Sequence, residues 1–339
     1  MSIEWQVLGN PARDNAVFVR VNSRNAIHRL QFDCGDSCLS SLNLSDIQLI
    51  DHLFFSHLHM DHVAGFDAFL RATFNRVTKP NAIWGPADTA RILHHRFQGY
   101  QWNLTHDLTA TWHLHDVMDN AILTWHTSAA TAFASFTEEE SVVNTNPLVD
   151  VGPFTVQALI MDHITPSLAY IVREKPRYNI DMERLAKMNL PTGPWLKLLK
   201  EPSSNEPTSI SINSHEYPLA QLRADLLVAT AGESFAYLTD FLLDDVAQQR
   251  LIPFIAGCST VVCECQYTNA DVELAQRHHH MTPNVVATLA KKAQIGQLVL
   301  FHVSERYHPS EWLGMLADAQ AIFPNTRFPD HWNITIDVP

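Results

Sequence analysis

Apolar residues recur along this chain in short runs separated by polar turns. Between residues 16 and 56 the runs VFVRV, LQFDCG and LIDHLFFS are rich in β-branched and aromatic side chains, which predicts strands. NAIWG and ILTWHT continue the series, with helical periodicity between them. A second series follows: FTVQALIM, LAYIV, LLVAT and FAYLTD as strands, a helix at about 240–250, then VVCEC. A helix at about 282–294, the strand QLVLFHV and a helix at about 309–321 complete it. Two successive rounds of this kind predict a mixed α/β chain with two sheets packed face to face and helices outside, and not one doubly wound parallel sheet. No sequence repeat of solenoid or propeller length is visible.

With 339 residues, 46% of them hydrophobic, the chain can bury a large core, and residues 1–339 are expected to form a single domain. No apolar stretch approaches the ~18 residues of a membrane span, and MSIEWQVLGN lacks the basic start and apolar run of an export signal. Five cysteines, an odd number, suit a reducing compartment better than a disulfide framework, so a cytoplasmic protein with no membrane partner is expected. Cys263 and Cys265, two apart in VVCEC, read as buried strand thiols and not as metal ligands. The net charge of −13 argues against nonspecific nucleic-acid binding over the whole surface. One region stands apart. Residues 173–220 are proline-punctuated (Pro176, Pro191, Pro194, Pro202, Pro207) and read as an inserted arm. Its first part, Arg173 to Lys200, holds seven Lys and Arg against three Asp and Glu, which fits either a phosphate-binding arm or a solvated protrusion.

Nineteen histidines are many for this length, and histidine is the commonest metal ligand. Four candidate ligands fall within six residues: His57, His59, Asp61 and His62, directly after the apolar run LFFS and before a helical pattern. On a strand-to-helix turn, His57 and His59 share a face, and the chain reversal brings Asp61 and His62 to a second position nearby. Imidazole and carboxylate together suit Zn or Mn, and two adjacent positions suit a two-metal hydrolytic centre. Three further candidates each follow a predicted strand: His163 after FTVQALIMD, Asp240 after FAYLT, and His302 after QLVLF.

The segment His57-Leu58-His59-Met60-Asp61-His62 resembles the signature of the metallo-β-lactamase superfamily, which implies a four-layer αββα sandwich. The resemblance further implies that His57, His59 and His163 hold one divalent metal ion and Asp61, His62 and His302 a second, with Asp240 bridging. Zinc is the expected metal, with manganese as the other choice. Within the superfamily, the chain from about 31 to 308 resembles ribonuclease Z, the tRNA 3′-processing endonuclease. Five features carry this in order: QFDCGDSC, MDHITPSLAYIV, LPTGPWLKLLK, His280-Met281-Thr282, and FHVSERY at 301–307. Asp36-Ser37-Cys38 departs from the family's Glu-Gly continuation, and Leu238-Thr239-Asp240-Phe241 departs from the glycine and threonine arrangement that normally surrounds the family's aspartate.

The family likeness implies that Asp61 orients or deprotonates the attacking water and that His280 protonates the departing 3′ oxygen. Glu264 would hold His280 protonated, a buried structural carboxylate being the other account. His278 and His279 read as exposed neighbours, and the His94-His95 to His115 region as local helix and loop surface. Ser304, Arg306 and Tyr307 would bind the scissile phosphate or adjoining nucleotide, Arg306 making an internal ion pair on the other reading. The arm at 173–220, with Gly193 and Pro194, would grip tRNA, and a homodimer is implied. The expected substrate is precursor tRNA. The alternative is a small phosphodiester or cyclic nucleotide, for which the arm would not be needed. A β-lactamase or thioesterase leaves His280 and FHVSERY unexplained, and a non-catalytic RNA-binding subunit would have lost its metals.

Overall fold

The two predicted rounds of strands become two sheets. In this computed structural model, which describes residues 2–23, 26–144, 146–200 and 206–334, eight strands from Ser2–Leu8 to Thr137–Val143 lie in chain order in the first sheet. Its centre is parallel, formed by Ile27–Phe32, His52–Phe54, Asn81–Pro86 and Thr111–Val117. In the second, seven-stranded sheet, Ser234–Leu238, Thr260–Glu264, Gln297–Phe301 and Thr326–Arg327 run parallel. Thr165–Glu174 joins antiparallel to Ser234–Leu238, with Phe154–His163 beyond it.

Successive side chains of a strand point to opposite faces, and this alternation sorts the core into layers. Phe54 and Phe32 turn inward between the sheets, stacked at 5.1 Å, with Tyr170 of the second sheet 5.3 Å from Phe54. Leu53 and Phe55 turn outward, against Phe66, Phe69, Leu93 and Phe97 from the helices Phe66–Thr73 and Thr89–Gln98. On the other side the helices Pro283–Ala293 and Pro309–Ile322 bury Val286, Leu289, Met315 and Leu316. The expected four-layer αββα order is therefore present. Losing one fully buried ring such as Phe54 costs about 3–5 kcal/mol, so the layers that carry the site are firmly set.

Parallel strands end at the same edge, and this fact positions the chemistry. The chain leaves His52–Phe54 toward His57, Ser234–Leu238 toward Asp240, Thr260–Glu264 at Glu264 itself, and Gln297–Phe301 toward His302.

Met1–Arg173 with Glu233–Pro339 forms one compact unit, and Glu174–Gly232 a second. LLVAT is not a strand of the second sheet. Leu227–Thr230 pairs with Arg177–Ile180 inside the arm, because the chain must run back beside its entry strand before it can rejoin the body. The insertion thus extends beyond 220 to Gly232. It has its own core of Leu185, Leu199, Ile210, Leu222 and Leu226, drawn from three short helices and a hairpin. Over its whole length it holds seven Lys and Arg against seven Asp and Glu, so the positive charge is confined to its first half and the unit is balanced. Residues 201–205, including Pro202, lie outside the described residues. Among the described residues no helix is long and apolar enough to cross a membrane, and all five cysteines are buried and free.

Candidate metal centre

The first four candidate ligands sit on a turn that two glycines make possible. His59 is the N-cap of the short helix Met60–Val63, and Gly65 starts the longer helix Phe66–Thr73. A Cβ on Gly65 would lie 2.1 Å from the Gly35 carbonyl, and one on Gly35 would lie 2.5 Å from the Asp61 carbonyl. The two backbones can therefore touch only as glycines. Cys34 N–H donates to His62 O and Gly65 N–H to Cys34 O, both at 2.8 Å, which laces the turn to the end of the Ile27–Phe32 strand.

That strand end supplies Asp33, a fully buried carboxylate in left-handed backbone (φ 55°) that received no role in the sequence reading. It accepts from Ser56 N–H at 2.6 Å, Ser56 Oγ at 2.7 Å and Tyr237 Oη at 2.7 Å, and its Oδ2 lies 2.7 Å from His62 Nδ1. A carboxylate on the rear nitrogen of an imidazole fixes the ring and aims its other nitrogen outward, as outer-shell partners of metal ligands do. The available signal was its place, directly after a strand's last phenylalanine within QFDCGDSC. Nothing in the sequence pointed to Tyr237, since its strand is buried throughout. The Asp36-Ser37-Cys38 departure is absorbed by Ser37, which takes the left-handed turn itself (φ 58°).

The second sheet brings the remaining groups to the same place. The ligand atoms of His57, His59 and His163 form one cluster, those of Asp61, His62, Asp240 and His302 another, and those of His163, Asp240 and His280 a third. Asp240 belongs to two of them. Its Oδ2 is 3.3 Å from His62 Nε2 and 3.9 Å from both His57 Nε2 and His163 Nε2, while Oδ1 is 3.4 Å from His302 Nε2. Asp240 (φ 48°) and His302 (φ 53°) are themselves in left-handed backbone, as is Ile164 (φ 65°) just after His163. Non-glycine residues held in this region concentrate at functional sites. His163 Nδ1 meets the backbone carbonyl of His279 at 3.0 Å, so His279 fixes a ligand ring with its main chain.

Two observations say that cations fit here. His57 Nε2 and His62 Nε2 are buried and have no hydrogen-bond partner, an orphaning that native interiors avoid unless an ion or water answers it. Burial, with the charge of His62 second, depresses His57 to about 2, against the opposing pull of Asp240. Burial also lowers His163, to about 4. Both rings are then neutral at physiological pH, the state in which imidazole ligates. Asp61 has its carboxyl held well below the usual range: burial pushes it up, but the close approach of His62, whose Nε2 lies 3.4 Å from Oδ2, and the charges of His62 and His302 outweigh that.

His280 stands at the rim, with Nδ1 3.1 Å from Glu264 Oε1 and 4.0 Å from Asp240 Oδ2. Burial disfavours its charge, yet Glu264 and Asp240 more than compensate and raise it to about 9. Glu264 is fully buried and also receives Gln266 N–H at 3.0 Å and Met281 N–H at 3.2 Å, so it is at once structural and a partner of His280. His278 is exposed, as expected, although its Nδ1 meets Tyr267 Oη at 2.8 Å. Arg306 makes no ion pair among the described residues; its guanidinium lies 5.9 Å over the Tyr267 ring. Ser304 is partly exposed and accepts Arg306 N–H at 3.2 Å.

Three expectations change. Tyr307 is 7% exposed and donates its hydroxyl to Asp271 at 2.5 Å, which makes it a support of the loop and not a free phosphate ligand. His115 is not on a helix or loop: it lies in the Thr111–Val117 strand and stacks on Trp84 at 3.7 Å. His94 is likewise occupied, stacked on Phe136 at 4.3 Å. In the arm, Gly193 and Pro194 open the Trp195–Lys200 helix, their carbonyls accepting from Leu196 and Lys197 N–H at 3.1 Å.

Comparison with known proteins fits this geometry. A family model described as anti-Pycsar protein Apyc1 matches residues 15–182. A ribonuclease Z of Deinococcus radiodurans is 46% identical over 326 residues, covering 96% of this chain and 97% of that protein. Among solved structures, the metallo-beta-lactamase fold protein YhfI from Bacillus subtilis aligns over 97% of this chain and 96% of its own, with TM-score 0.56 and 16% identity. The short form of human tRNase Z aligns over 90% and 94%, with TM-score 0.52 and 18% identity. The fold is the metallo-β-lactamase fold.

Proposed function

The chain belongs to the ribonuclease Z family, and from that premise we propose that it cuts precursor tRNA on the 3′ side of the last retained nucleotide, leaving a 3′ hydroxyl and a 5′ phosphate. One observation carries this reading furthest: the Glu264–His280 pair, an acid held protonated 4.0 Å from the carboxylate shared by the ligand clusters. Expulsion of an alkoxide needs such a proton. The small-diester and cyclic-nucleotide alternative is not favoured, since the likeness to ribonuclease Z runs through 96% of the chain.

His57, His59 and His163 would hold one divalent cation and Asp61, His62 and His302 the other, with Asp240 between them. Bound there, such ions supply charge that stabilises a pentavalent phosphoryl transition state and acidify water; imidazole with carboxylate suits Zn, our assignment, over Mn. Asp61, half-exposed and anionic, orients or deprotonates the attacking water. His280 delivers a proton to the departing 3′ oxygen and regains one from solvent, and the Glu264 carboxylate favours its charged state. Ser304 and Arg306 flank the phosphate, Arg306 offering a planar fork braced on Tyr267.

The arm is our candidate for gripping tRNA through its basic first half. Lys187 and Lys200 are exposed there and make no ion pair among the described residues, and Gly193 and Pro194 shape the adjoining helix start. A homodimer working in the cytoplasm completes the reading, and the five buried free thiols support a reducing compartment.

Incubation with precursor tRNA and mapping of both product ends tests the reaction, the substrate and the cut together. A 3′ hydroxyl after the last retained nucleotide is expected; hydrolysis of a small diester with no cut in the tRNA would refute the assignment. Replacing the whole arm, residues 175–232, by a short linker is expected to reduce tRNA cleavage far more than small-diester hydrolysis. Light scattering reports the dimer.

A further inference from the structure

A cavity of about 240 Å³ opens beside His280, and the mechanism makes no use of it. Its walls include Leu243, Val272 and Val285, and its polar groups include Gln276 and Thr282. Thr282 is 2% exposed and sits at the N-cap of the Pro283–Ala293 helix, yet its side chain makes no capping hydrogen bond and no other among the described residues. The Gln276 amide is likewise without a hydrogen-bond partner among the described residues. Asp244, also on the lining, spends Oδ1 on Ala247 N–H at 2.8 Å, which leaves its second oxygen for another donor. Gln276 and Asp244 stand exposed at the mouth and Thr282 lies deeper, so an apolar slot with polar groups at its edge fits a flat heterocycle with a polar rim.

We infer that this cavity receives the base of the nucleotide whose 3′ oxygen departs. The inference rests on the endonuclease reading above. His280 lines the cavity and also faces the ligand cluster. A nucleoside whose 3′ oxygen lies at His280 carries its base one ribose away, and the adjoining slot is of that size. The walls cover the faces of the ring, while the Gln276 amide, the Thr282 hydroxyl and the free Asp244 oxygen read its edge. Carboxylate and amide oxygens accept from exocyclic amino groups, as in recognition of adenine and cytosine. The slot therefore favours a base with an amino group and disfavours uracil. Occupancy anchors the nucleoside with its 3′ oxygen toward His280, so binding and orientation act together.

The test compares holoenzyme cleavage of two precursor tRNAs that differ only in whether the last retained nucleotide carries its base or is abasic. Wild-type enzyme is expected to favour the base-containing RNA in kcat/KM by about tenfold or more, in line with the worth of one stacked base. Val272→Trp places a ring in the slot from a position 37% exposed, and Gln276→Leu removes the amide from an exposed helix position; in both, the ratio is expected to fall to within about threefold. The ratio is internal to each variant, so reduced folding yield does not mimic the effect. A wild-type ratio near one overturns the inference, as does a large ratio that both variants leave unchanged. If wild-type enzyme hydrolyses bis(p-nitrophenyl) phosphate but cuts neither RNA, the endonuclease reading itself fails and the slot loses its occupant. Among the four intact bases, uracil is expected to be slowest; uracil cut fastest would overturn the edge-reading part.

Discussion

The two sheets reach the same metal cluster by different means. At the rim of the first sheet, His57, His59, Asp61 and His62 come from one continuous turn, braced by glycines and by Asp33. At the rim of the second, His163, Asp240 and His302 come one at a time from the ends of three strands, each with left-handed backbone at the ligand or just after it. The first half-site is carried on one short segment, His57 to His62. The second exists only once parallel strands are in register, and Asp240, which spans the clusters, belongs to it.

Removing the shared carboxylate should break both halves at once. Asp240→Ala is expected to lose at least about 10³-fold in kcat, since a metal centre contributes several kcal/mol to the barrier, and to bind less than its full metal complement by elemental analysis. Full metal content with normal kcat would show that the halves are independent. A smaller effect is expected on the braced side: Asp33→Asn leaves the shape but weakens the brace on His62, and outer-shell changes of this kind cost about 10–100-fold in metal affinity. Competition with a chromogenic chelator measures it, and unchanged affinity would return Asp33 to a purely structural role.

Glu264→Gln sharpens the comparison from the second sheet. His280, raised to about 9 by Glu264 and Asp240 against burial, is charged below that pH and loses its proton above it. The pair thus stabilises the fold fully below the ordinary imidazole pKa of ~6.5 and loses that stabilisation as pH rises through about 9. In the variant the alkaline fall of kcat/KM is expected to move down from near 9 toward ~6.5, costing about tenfold at pH 8. A limb that stays in place would separate Glu264 from the acid. The smallest effect concerns strain. Ile164, β-branched, 79% exposed and at φ 65°, should be relieved by Ile164→Gly, which is expected to stabilise the protein by about 1 kcal/mol in urea unfolding with metal content unchanged. A loss of stability would mean that Ile164 is held there by packing.

The layered fold could be read from the chain itself, as could the seven candidate ligands that the fold gathers into neighbouring clusters. Strands carry a period of two, ligands sit at strand ends, and six residues from His57 to His62 offer four donors that no ordinary turn requires. His280 was also readable, by its place in His-Met-Thr and its spacing from FHVSERY. Other features were out of reach. Asp33 and Tyr237 meet across 204 residues, and no local pattern reports such a contact. Tyr307 looked free until the fold put Asp271 against it, and LLVAT has the composition of a core strand although it pairs within the arm. Even the arm's charge depends on where it ends. Periodicity and ligand chemistry are properties of neighbouring residues, so the sequence alone determined the elements and the kinds of groups at their ends. Which buried polar atoms find partners and which are left open, as at His57 and His62, depends on chain segments far apart in sequence, and only tertiary packing brings them within hydrogen-bonding distance or keeps them out of it.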